Sequence, residues 1–186
     1  VTRYVTNATV IARLRPDKAL PGMRVGDEIV MTKWAALEGS VIIASDFADR
    51  LTSLPASVLE GARSFSSLLS VVPEGRIAAE HGATAMHDVT EGGVLGAAWE
   101  MAYVERLGVL IDPFKIPVRP ETQAICDLLG LDVHRLISSG CMLIACKDGQ
   151  SMCRALKNAG IHATVIGRAI ERGMRMPDGR EIEPPA

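Results

Sequence analysis

A layered α/β domain is the architecture this sequence predicts, on three observations. Segments of strand length alternate with helical segments along the chain. Cys141 to Cys146 is apolar on both faces, as a strand in the middle of a covered sheet must be. The last third reads strand, helix, strand over 141–146, 150–158 and 163–170, a βαβ-like unit. With 186 residues, 48% of them hydrophobic, the chain is long enough for a single domain with a substantial core. Only 4% is aromatic, so that core must be built from Val, Ile, Leu, Ala and Met.

The elements follow in order. Tyr4 to Leu14 reads as a strand, and Arg15 to Gly26 as a loop with turn chemistry at Pro16-Asp17 and Pro21-Gly22. Glu28 to Lys33 is a short buried strand. A polar, glycine-bearing junction, Thr32 to Ser40, leads from it into a helix over Val41 to Arg50. Ala56 to Leu69 places Val58, Leu59, Ala62, Phe65 and Leu69 on one helical face. Pro73 opens a helix over Glu74 to Glu80 that Gly82 closes. Thr84 to Val89 is a strand, and from Val94 a helical face carries Leu95, Ala98, Met101 and Ala102. Gly108 to Asp112 is a strand and Glu121 to Leu129 a helix stopped by Gly130; Asp132 is placed to cap a short helix to Ile137. Pro177-Asp178-Gly179 predicts a hairpin turn within Met174 to Ile182. The first residue is Val and a strand-like run begins almost at once, as expected of a piece of a longer or processed protein.

Formal charge is −2 with both signs interspersed, which argues against a nucleic-acid or membrane surface. No apolar run approaches the roughly 20 residues of a membrane span. Cys126, Cys141, Cys146 and Cys153 form no C-x-x-C pair and sit mostly in apolar contexts; buried, reduced thiols in a cytoplasmic protein are expected rather than zinc ligands.

The chemistry concentrates between Ala85 and Leu95. A strand feeds a turn bearing His87, Asp88, Thr90 and Glu91, then Gly92-Gly93, then a helix. A helix start offers backbone N–H groups and a positive dipole end to an anion, and glycines allow close approach. Asp88 and Glu91 would repel bare phosphate, so a site here requires a mediating cation, with Mg²⁺ on one or two carboxylates plus phosphate oxygens. The plainer reading has Thr90 as N-cap and Glu91 complementing the dipole. At the Thr32–Ser40 junction Lys33 is either a compensating charge for an anion or a solvated strand end. His87 is either a substrate contact or structural, and Ser138-Ser139-Gly140 either a ligand contact or a tight turn.

Met86 to Gly93 resembles the signature of the C-terminal domain of the aminoimidazole ribonucleotide (AIR) synthetase-related, PurM-like superfamily. Gly26 to Lys33 with Glu38-Gly39, Ile116 to Arg119, and Ser138 to Leu143 resemble its other signatures, in the same order. The resemblance covers nearly the whole chain and is greatest to the hydrogenase maturation branch. It implies a three-layer α/β/α domain with a partly ferredoxin-like mixed sheet, one domain over 1–186, normally preceded by an N-terminal ATP-binding domain that this sequence lacks. It implies ATP and Mg²⁺ at the cleft between the two halves, a homodimer when full length, and phosphorylation of an amide or acid oxygen. Asp88 and Glu91 would then serve the metal and the chemistry, with Thr90, Gly92, Gly93 and Lys33 lining the cofactor. Two departures stand out: the chain ends Glu183-Pro184-Pro185-Ala186 without that branch's terminal cysteine, and Glu38 stands where a histidine is common. They keep a second reading open, a non-catalytic assembly or scaffold partner in metalloenzyme maturation.

Overall fold

The computed structural model describes residues 19–185 together with residues 9 and 11. The strand expected over Tyr4 to Leu14 lies outside the described residues apart from Thr9 and Ile11. Six strands and six helices follow: β1 (Glu28–Thr32), α1 (Leu37–Asp46), α2 (Ala56–Ser64), α3 (Val72–Glu80), β2 (Ala83–Asp88), α4 (Gly93–Val104), β3 (Gly108–Ile111), α5 (Pro120–Leu129), β4 (Met142–Cys146), α6 (Gly149–Asn158), β5 (Ala163–Ile170) and β6 (Met174–Arg175).

The strands form one mixed sheet in the order β2-β4-β1-β5-β3-β6, antiparallel except for the β3–β6 pair. β1 and β2 run parallel with β4 between them; β4 and β5 run parallel with β1 between them. Two split βαβ units therefore interleave, which is the ferredoxin-like arrangement, with β3 and β6 added at one edge. The unit expected over the last third exists, but β1 is threaded between its two strands.

Period-two alternation explains the layers. Ile29, Met31, Leu143 and Ala145 join Val94, Leu95, Ala98 and Met101 of α4 in one buried cluster. Val30, Ile144 and Cys146 point the other way, to Ala78 of α3 and Met152 and Leu156 of α6. Each large aliphatic side chain buried this way contributes about 1.5–3 kcal/mol. A third cluster, Leu37, Ala44, Leu51, Ala62, Phe65 and Ile125, holds α1, α2 and α5 together.

Three boundaries differ from expectation for physical reasons. α1 begins at Leu37, so Glu38, Gly39 and Ser40 lie in the helix and not in a loop before it. Ala36 turns left-handed (φ 56°), its N–H donates to Ser138 Oγ at 2.7 Å, and its carbonyl accepts from Ser40 Oγ at 2.7 Å. The helix expected over Ala56 to Leu69 tightens into a 3₁₀ turn at Phe65–Leu68. Asp132 does accept the His134 N–H through its side chain (2.9 Å), but only one helical turn follows, because the backbone of 134–138 is committed to the two strand–helix corners described next.

Candidate functional site

β2 ends at Asp88, which is exposed; Val89 is fully buried, and Glu91 is exposed again in the turn. The Thr90 carbonyl accepts from Gly93 N (3.2 Å) and from Ser138 N (3.3 Å). Gly92 (φ 78°) and Gly93 (φ 62°) both occupy the left-handed region, which glycine reaches without strain. A Cβ on Gly93 would stand 2.4 Å from His134 O and 2.7 Å from the Arg135 carbonyl carbon, so α4 starts directly against that backbone. Asp88, Thr90, Glu91, Gly92 and Gly93 thus share one turn.

The turn is less bare than the sequence led us to expect. Gly92, not Thr90, is the N-cap of α4, and no side chain caps it. Leu95 N donates to His134 O (3.2 Å) and Gly96 N to Gly92 O (3.0 Å). Pro185 lies over the helix start, where a Cβ on Gly92 would meet its Cβ at 2.7 Å. Arg135 Nη1 holds that segment by donating to Glu183 O at 2.9 Å. Nothing local links Arg135 or the 183–185 segment to Gly92, so this contact has no mark in the sequence. What faces outward is the pair of carboxylates: among the described residues no cation pairs with Asp88 or Glu91. Two exposed hard-oxygen donors three positions apart fit a Mg²⁺ ion that draws its other ligands from phosphate and water.

The remaining candidates are occupied. Lys33 is neither a solvated strand end nor an open cation. It is 7% exposed, and its ammonium donates to Leu68 O, Ser70 O and Glu74 Oε1, each at 2.7 Å. His87 Nδ1 meets Asp88 O at 2.6 Å and Nε2 lies 3.4 Å from Glu100 Oε2, tying the strand end to α4. Ser138 is fully buried; its hydroxyl accepts from Ala36 N and donates to Leu136 O at 2.8 Å. Gly39 packs as tightly as Gly93, with Leu136 Cγ 2.6 Å from a hypothetical Cβ and its own N–H on Ile137 O at 3.1 Å. The 134–138 segment therefore stitches the α1 and α4 corners together. Burial lowers the His134 pKa, and the neighbouring Asp132 opposes that shift.

All four cysteines are free. Burial pushes the Cys126 thiol up to about 11 and those of Cys141 and Cys146 up to about 12, and raises Cys153 as well. Such thiols are inert, since the thiolate is the reactive form. Ellman's reagent at neutral pH should label half-buried Cys153 first and leave fully buried Cys141 untouched until the chain unfolds; rapid labelling of Cys141 in the native protein would contradict its placement. Above pH 9 the unfolded chain loses thiol protons that the folded chain keeps, so stability falls as pH rises from about 9 to about 12.

Comparison with known proteins decides the ancestry. The family described as AIR synthase related protein, C-terminal domain, matches residues 24–176. The chain belongs to this family. Carbamoyl dehydratase HypE of Rhodobacter capsulatus is 28% identical over 158 residues, covering 83% of this chain and 44% of that protein. The crystal structure of Escherichia coli HypE superposes with a TM-score of 0.73 at 24% identity, covering 89% of this chain and 52% of that one. A hydrogenase maturation protein HypE solved in complex with ATP gives 0.64 at 18% identity, covering 89% and 52%. The chain thus spans about half the length of the relatives it matches. No helix among the described residues is long and apolar enough to cross a membrane.

Proposed function

We propose that this chain is the C-terminal domain of an ATP- and Mg²⁺-dependent AIR synthase related protein that activates an amide or acid oxygen by phosphorylation, in hydrogenase metal-centre maturation. One observation carries the reading: the exposed Asp88 and Glu91 at the junction of β2 and α4, within the stretch that matches the family. The R. capsulatus relative is named a carbamoyl dehydratase and a structural neighbour was solved with ATP, both of which support it. In this scheme the substrate oxygen attacks the γ-phosphorus, ADP leaves, and the oxygen later departs within phosphate. Mg²⁺, when bound, neutralises phosphate charge. Asp88 and Glu91 would hold it, Gly92 and Gly93 keep side chains out of the way, and Thr90 fixes the turn through its carbonyl. The protein's share is positioning and charge neutralisation. Lys33 serves this site indirectly, through the loop it clamps.

The other half of the nucleotide cleft belongs to an N-terminal domain, and the full-length protein is a cytoplasmic homodimer in this reading. A maturation-pathway partner is part of it too, since one structural neighbour is a HypE–HypF complex. The test is nucleotide binding by the longer protein in the presence of Mg²⁺. Asp88→Asn should weaken ATP about tenfold, a loss of about 1.4 kcal/mol, and make affinity insensitive to Mg²⁺. ATP affinity unchanged by Asp88→Asn and Glu91→Gln together would remove the proposal.

A second reading, an assembly partner without turnover, is favoured by the closed helix start, where Gly93 N and Leu95 N already have protein acceptors and Pro185 overlies Gly92. Stable association with a maturation protein by a full-length chain that hydrolyses no ATP would select it.

A further inference from the structure

α4 covers one face of the sheet, but on the opposite face α3 and α6 pack over β2, β4, β1 and the start of β5, leaving β3 uncovered among the described residues. A bulge sets what this open area displays. Between Ile29 and Val30 the β1–β5 register slips by one, pairing Glu28 with Arg168 and Val30 with Val165. Before the slip Ile166 faces the α4 core; after it Ala169 takes that side, and Arg168 is exposed on the other. Bulges are a common means of re-aiming side chains. The pairing then aligns Glu28, Arg168, Leu110 and Arg175 in one row across four strands.

Two troughs, of about 1000 Å³ and about 500 Å³, meet along this row and share Gly26, Leu110, Arg168 and Pro177. Arg172 and Arg175 line the larger, Lys115 and Lys147 the smaller. Of the lining carboxylates, Glu28 Oε2 accepts Gly149 N at 2.7 Å, and Asp112 accepts Phe114 N at 3.1 Å and lies 3.6 Å from Lys115. Three carboxylates, Glu28, Asp112 and Glu171, stand against five cations, Arg168, Arg172, Arg175, Lys115 and Lys147, so the troughs together are net positive. Leu110, Ile170 and Met176 give it an apolar floor. From Val165 to Ile170 it runs roughly 17 Å, at about 3.3 Å per strand residue, the length of about five extended residues. Enclosed small-molecule pockets are shorter and more apolar. A polyphosphate, charged at every unit, has nothing to place on that apolar floor.

We infer that this face docks an extended acidic segment of a partner protein, its carboxylates on Arg168, Arg172 and Arg175 and its alternate apolar side chains on Leu110 and Ile170. The test is fluorescence anisotropy of the 186-residue chain with an end-labelled nonapeptide alternating Glu with Leu and Val. A twin peptide carrying Lys for Glu is the control. The acidic peptide should bind saturably, lose about tenfold in affinity between low and high salt, and lose at least tenfold in Arg168→Glu/Arg172→Glu. Arg168→Gln should weaken it, Arg168→Lys should restore most of the loss, and Lys157→Glu, outside the troughs, should change nothing. Equal binding of the Lys twin, affinity indifferent to Arg168, or equal competition by a short single-stranded oligonucleotide would overturn the inference. So would a longer protein that cannot bind the peptide although the 186-residue chain does, because its own other half would then fill the trough.

Discussion

Replacing Lys33 with Met should cost about 3–5 kcal/mol of folding stability, the cost of leaving one member of a buried ion pair alone. For a domain of this size that lowers the thermal midpoint by roughly 10 °C. The reason lies in what the ammonium holds. It neutralises Glu74, whose carboxylate is 3% exposed, and satisfies the carbonyls of Leu68 and Ser70 at the start of the loop into α3. Glu74 Oε2 already lacks a partner among the described residues, so the pair has nothing in reserve. Lys33→Met/Glu74→Leu should recover much of the loss, since replacing both charges by apolar groups removes the stranded carboxylate, although the two carbonyls stay unpaired. Urea unfolding of the three variants checks this. A single variant within about 1 kcal/mol of the parent, the range of exposed ion pairs, would show that the ammonium is not buried as described.

Gly93→Ala should be nearly as damaging, from two separable causes. A left-handed backbone costs an alanine about 1–2 kcal/mol, and a Cβ 2.4 Å from His134 O forces displacement worth about 1–3 kcal/mol more. Gly130 separates the two. It has nearly the same φ, 64° against 62°, and nothing within 4 Å of its hypothetical Cβ. Gly130→Ala should therefore show the backbone cost alone. If the two alanine variants unfold at the same denaturant concentration, α4 does not rest on the 134–135 backbone. In the longer protein Gly93→Ala should also weaken ATP, because it moves the turn carrying Asp88 and Glu91.

The residues that declared themselves in the sequence were those whose partners lie nearby along the chain. Apolar residues on both faces placed β4 inside the sheet, and the strand, double glycine and helix around Asp88 emerged with boundaries shifted by one residue. Lys33 was misread under both alternatives because its acceptors lie 35 and more positions away, at Leu68, Ser70 and Glu74. Gly39 and Ser40 looked like loop residues because glycine and serine are poor helix formers. Within α1 glycine is what position 39 can hold, since Leu136 leaves no room for a side chain, and the Ser40 hydroxyl is satisfied by bonding back to Ala36 O. The bulge that exposes Arg168 has no local mark at all: it arises from how β5 pairs with a strand more than a hundred residues earlier.

Segment 134–138 bonds at once to the first turn of α1, through Gly39 N, and to the first turn of α4, through Leu95 N. Those two amides should be slow to exchange with deuterium, and neither corner has slack to fold over a bound nucleotide. In the proposed nucleotide site, any jaw-like closing would then come from the other half, with this domain as the fixed anvil.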